Sequence, residues 1–166
     1  MNLRFAYWVL VAATAVVYVY LVFAVGAHLK VLAGGQEAFD LRLSGYAMTD
    51  VQAYMSAMAP ETPDYYTQVV RRVDTAFPVM FTAVLSIAIW FKTGGAQRAF
   101  VFLPIAYGVF DLFENAAISA MLEAGPDGLT PEIVGVASRL TILKFATLGL
   151  AMLALARGLI RRRAVA

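Results

Sequence analysis

Residues 99–122 read AFVFLPIAYGVFDLFENAAISAML. As a helix this stretch rises about 36 Å, enough to cross a hydrocarbon core of about 30 Å. Yet Asp111, Glu114 and Asn115 stand in its middle. Their i, i+3, i+4 spacing puts all three on one helical face, and Tyr107, Gly108 and Ser119 extend the same stripe in both directions. A centred aspartate meeting acyl chains costs about 2.5–3.5 kcal/mol even on lenient insertion scales. The stripe is therefore expected to face the interior of a helical assembly.

The rest of the chain agrees with that setting. Hydrophobic residues make up 61% of the 166 and charged residues 14%, against about 45–50% and about 25% in soluble domains. A globule of this size buries only about two-thirds of its chain surface, so a soluble fold, a disordered chain and a disulfide scaffold are excluded. With no cysteine, thiol catalysis and cysteine-ligated metal are excluded too. The expectation is one all-α integral membrane domain over 1–166, a four-helix bundle.

Working outward, the other spans fall at about 5–28, 74–91 and 131–158, with the quoted helix as the third at 99–122. Met1-Asn2-Leu3-Arg4 and Val25-Gly26-Ala27 resemble the ends of a signal peptide. The apolar stretch exceeds the roughly 7–15 residues of a cleaved core, and Tyr18 and Tyr20 interrupt it, so an uncleaved first helix is expected. The second span is barely long enough and should extend a helix begun at Thr62, as N-cap, with Pro63 in the first position. Gly125-Pro126-Asp127-Gly128 reads as a turn, and Thr130-Pro131 opens the last helix in the same capped manner.

Between the first two spans lies an outer segment of about 31–62. Thr49-Asp50-Val51-Gln52 fits a capping box for a short helix ending near Ala59, before Pro60. Val51, Tyr54, Met55 and Met58 would give it one apolar face. This amphipathic helix is expected to lie in the headgroup plane or cap the bundle; a lid over an internal site and a docking surface remain open.

Arg4, the Lys92–Arg98 loop and Arg157, Arg161, Arg162 and Arg163 share one side of the spans, with no acid among them. By the positive-inside rule both termini are cytoplasmic. Trp8, Trp90, Phe91 and Phe100 would form the aromatic belt there. The composition suits a bacterial inner membrane, with Arg161, Arg162 and Arg163 meeting anionic headgroups rather than nucleic acid.

Depth from the inner end of each span pairs Asp111 with Lys144, and Glu114 and Asp74 with Arg139. Pro78 lacks an N–H and leaves the Asp74 carbonyl without its helical partner, a niche a guanidinium could fill. An Asp74–Arg139–Glu114 cluster and an Asp111–Lys144 pair are therefore expected. Arg139 and Lys144 stand about 140° apart around a helix, so either a wide arc is buried or Arg139 reaches out to the interface.

The polar stripe of Tyr107, Asp111, Glu114, Asn115 and Ser119, with Asp74, Arg139 and Lys144, leaves three functions open. The chain could be a non-catalytic accessory or scaffold component of a membrane assembly, bound to a protein partner or to its own copies; the small size and lack of catalytic motifs place this first. It could be an intramembrane acid–base enzyme on a lipid or other apolar substrate, with Asp111 or Glu114 moving the proton. It could be an oligomeric conduit for protons, ions or a small solute. His28 is the lone histidine and reads as an interface residue. No P-loop, dinucleotide fingerprint, HExxH or nucleophile elbow is present, so no cofactor or metal is expected.

Overall fold

The computed structural model describes residues 2–163, with side chains through Arg161. The headgroup contacts expected at Arg162 and Arg163 lie outside the described side chains. All regular structure among the described residues is helical. In chain order the helices are α1 (Leu3–Leu32), α2 (Met48–Ala57), α3 (Thr62–Lys92), α4 (Gly95–Gly128) and α5 (Pro131–Arg163). All but α2 are long and apolar enough to cross a membrane.

The quoted stretch folds as expected from its pattern. Tyr107, Gly108, Asp111, Glu114, Asn115, Ile118, Ser119 and Leu122 form one buried stripe on α4. It meets a matching stripe on α5 made by Val134, Ala137, Ser138, Thr141, Lys144 and Ala151. These two helices make the most extensive contact, α3 packs against both, and α1 lies chiefly along α3. The body is thus a three-helix core with α1 at its flank. Over Leu3–Tyr20 only Thr14 is buried, and Val16, Phe23 and Trp8 stand exposed.

Close approach of α3 and α4 depends on Gly108. A Cβ at that position would collide with Thr82 Oγ1, whose hydroxyl donates to the Pro104 carbonyl at 3.1 Å. Small residues that let backbones meet are how helices pack where hydrophobic driving force is weak.

At one end of the bundle the α1–α3 connector folds over the helices and completes the core. Phe39 sits between Tyr54 and Tyr46, with ring centroids at 4.4 and 4.8 Å. Val51, Tyr54 and Met55 of α2 are buried in the same cluster as Leu29, Tyr66, Met121 and Leu122. Gly45 makes the turn that delivers Tyr46. Its φ is +77°, and a side chain there would run into Ser138. The Tyr46 N–H donates to Ser138 Oγ at 2.9 Å.

Where α1 meets α3, Leu21–Gly26 and Tyr66–Val70 each form a π turn. Such a turn inserts a residue into the α ladder. Beside them the Tyr65 hydroxyl donates to the Val25 carbonyl at 3.3 Å, and His28, exposed, rests edge-on against the Tyr65 ring.

Several helix starts differ from expectation. The Thr49–Gln52 capping box does not form. The N-cap is Ala47, two residues earlier, and Asp50 Oδ2 accepts from the Ala47 N–H at 2.7 Å, because a carboxylate three residues into the helix reaches back to the N-cap amide. It ends at Ala57, not Ala59. Thr62 does not cap α3 either. Glu61 is the N-cap, and the buried Thr62 hydroxyl donates to the carbonyls of Ala59 and Leu32, tying the start of α3 to the end of α1. The Gly125 turn is present, with φ +64°, and Thr130 does cap α5, accepting from the Ile133 N–H at 3.3 Å. The expected span start at Ala99 lies within a tight 3-10 turn, Gly95–Val101, and regular α-helix begins at Phe102.

Candidate functional site

Helical spacing on two facing stripes places Asp111 and Glu114 of α4 opposite Lys144 of α5. The Lys144 ammonium lies 3.1 Å from Asp111 Oδ1 and 2.5 Å from Glu114 Oε2. All three side chains are buried. Glu114 Oε1 accepts from the Thr141 hydroxyl, one turn before Lys144. The third bond of Lys144 is to a backbone atom, the Asp40 carbonyl at 3.0 Å. An ammonium has three N–H donors and no acceptor, and three oxygens of this chain stand within 3.1 Å of it. Lys144 therefore joins α4, α5 and the connector at a single atom.

Around this centre the polar groups continue toward α3. Asn115 Oδ1 accepts from the buried Tyr66 hydroxyl at 3.4 Å, and the Ser119 hydroxyl donates to the Asn115 carbonyl at 2.8 Å. Asp74 is buried on α3. Tyr107 is buried with its ring edge-on to Phe81. In the connector, burial holds the Asp40 carboxyl above the usual carboxylate range, an effect that nearby Lys144 reduces. Burial pushes the Tyr54 phenol up to about 12, so that hydroxyl stays neutral.

Of the residues singled out in the sequence, Asp111, Glu114 and Lys144 come together, and Asn115, Ser119, Tyr107 and Asp74 flank them. Arg139 does not join. It is exposed, and its Nε donates to the Gly135 carbonyl of its own helix at 2.9 Å. The Asp74–Arg139–Glu114 cluster is therefore corrected: Glu114 shares Lys144 with Asp111, and among the described residues no cation pairs with Asp74. The reason is angular. Only Lys144 lies on the buried face of α5 with Ala137 and Thr141, and Arg139 points off it. Replacement of Arg139 by Ala should leave stability within about 0.5 kcal/mol, as for other exposed positions, measured by thermal unfolding in detergent. A large loss would restore Arg139 to the cluster.

Sequence reasoning missed Thr141, Tyr66 and the Asp40 carbonyl. Thr141 was within reach, because it precedes Lys144 by i, i+3 on the same face. The carbonyl of Asp40 carries no side-chain signal and could come only from coordinates.

Chemically, this is a closed ion cluster with acid in excess over base. Two surface grooves lie away from it. One, about 520 Å³, runs along α1 beside Val16, Tyr20 and Phe23; the other is bordered by Thr67, Arg71, Arg72 and Thr75. No protein-family model, curated protein or solved structure matches this chain.

Proposed function

We propose that the chain is a small polytopic protein of a bacterial inner membrane, with both termini cytoplasmic, and that it serves as a non-catalytic accessory or scaffold component of a membrane assembly. In this reading the connector lies on the outer side, with the apolar face of α2 capping the bundle. Partners, whether another protein or a second copy, meet the uncovered face of α1. Anionic headgroups meet the basic end of α5.

The observation that carries the reading is the use made of Lys144. Its ammonium is enclosed by three oxygens of this chain, which suits a lock between elements better than a group waiting for substrate. The exposed apolar side of α1, far less covered than the stripes of α4 and α5, supports a surface offered to neighbours. The competing reading is acid–base catalysis at Asp111 or Glu114.

Combining Asp111→Asn with Glu114→Gln separates the two. Under the scaffold reading, Lys144 loses both counter-charges, and folded protein should fall several-fold in membranes, because stranding a buried charge costs about 3–5 kcal/mol. Normal amounts and normal melting, together with a lost lipid conversion in cells, would replace the scaffold with an enzyme. The measurement is the quantity of folded protein by detergent size-exclusion chromatography, alongside the lipid profile.

A further inference from the structure

With Lys144 held among Asp111, Glu114 and the Asp40 carbonyl, one buried acid is left over. Asp74 is 6% exposed, on α3 one turn before Pro78, which has no N–H to give to the Asp74 carbonyl. Facing it from α4 are Asp111 and Asn115. Asp111 Oδ2 and Asn115 Nδ2 are buried and have no hydrogen-bond partner, although Asp111 is only 3% and Asn115 only 1% exposed. Gly108 of α4 lies against the Pro78 carbonyl of α3, and the contacts of Thr82 with Pro104 and of Tyr66 with Asn115 show the two helices running antiparallel, so one turn on the Asp74 carboxyl stands level with Asp111 and these two unpartnered atoms.

The charged and titratable groups around that spot are Asp40, Asp74, Asp111, Glu114, Lys144, Tyr66 and Tyr107. The set holds four carboxyl groups and, among the described residues, one cation. Fully ionised, it would carry surplus negative charge in a low-dielectric interior, where an unpaired carboxylate is neutralised rather than tolerated. A metal ion is not the natural counter-charge, for among the described residues no three carboxylates converge as ligands.

We propose that Asp74 and Asp111 form an internal proton-binding site, holding one proton between them on a carboxyl group or on a single water that bridges to Asn115. Binding makes one O–H bond from a proton of the medium and breaks none in the protein. A protonated carboxyl is both donor and acceptor, so it can satisfy the idle Asp111 oxygen and accept from the Asn115 amide together. The two carboxyls titrate as a pair. The site stands apart from the scaffold role, since it rests on the atoms that Lys144 leaves unused.

Infrared spectroscopy of the full chain in lipid vesicles at neutral pH tests this. A carboxylic-acid C=O stretch should appear beside the carboxylate bands and shift in D2O. It should move or weaken in Asp74→Asn and in Asp111→Asn, and vanish in the double variant. No such band in the unaltered chain, or an identical band in a folded double variant, overturns the site. Should the double variant fail to fold, carbon-13 NMR of the unaltered chain with its six aspartates labelled decides. A protonated carboxyl assigned to Asp74 or Asp111 at neutral pH upholds the site, and both of these ionised refutes it.

Discussion

Replacing Lys144 by Met should destabilise the protein by about 3–5 kcal/mol, the cost of leaving buried charges without a partner. Asp111 and Glu114 would keep their place on the buried stripe of α4 but lose the ammonium they share. The Asp40 carbonyl would lose its donor as well. The damage should therefore extend beyond the α4–α5 contact into the connector, which protease cleavage between Gly34 and Ala47 would detect before the long helices melt. Adding Asp111→Asn and Glu114→Gln to the Met variant should recover most of the loss, because a buried ion cluster can be removed whole at little cost even where removing one member is ruinous. If Lys144→Met melts like the unaltered chain, the ammonium is not the joint between these elements.

The second large effect is steric. Gly108→Ala places a methyl group against Thr82 Oγ1, between two helices whose separation is set by that contact. Overpacking of this kind costs about 1–3 kcal/mol, and α3 must move away from α4. The neighbours of Gly108 suggest a rescue. In the double variant Gly108→Ala, Thr82→Ala the colliding oxygen is gone, and the remaining approach to the residue 82 Cβ is 3.4 Å, an ordinary contact. What stays lost is the bond to the Pro104 carbonyl, worth about 0.6 kcal/mol between membrane helices. The double variant should thus melt above the single one. Equal melting of both would mean that Thr82 is not what Gly108 makes room for.

These effects show which parts of the molecule could be foreseen. The four long helices follow from apolar length alone, and the inward stripe of α4 from the spacing of Asp111, Glu114 and Asn115. Pairing Asp111 with Lys144 needed only the depth of each along its helix. Depth alone misled for Arg139, because position along an axis says nothing about direction around it. The periodicity of α5 holds that information. Ala137, Thr141 and Lys144 share a face that Arg139 leaves. The helix starts of the connector were misplaced by one residue or more: a hydroxyl at Thr49 reads as an N-cap, whereas the helix starts after Ala47, which carries no capping side chain, and uses the Asp50 carboxylate to reach back. The role of the Asp40 carbonyl had no trace in the sequence, for every residue carries the same backbone oxygen.

The bonds that hold the connector have a consequence for how the chain is built. Tyr46 reaches Ser138, and Asp40 reaches Lys144, across 92 and 104 positions of sequence. Neither can form until the last helix has left the ribosome. Contacts this distant in sequence are slow to close, because loop-closure entropy must be met before they contribute. The stretch from Gln36 to Ala47 can meet α2 early, through Phe39 on Tyr54 and Gln36 on the Ala53 carbonyl, but its attachment to the bundle through Tyr46 and Asp40 waits for α5.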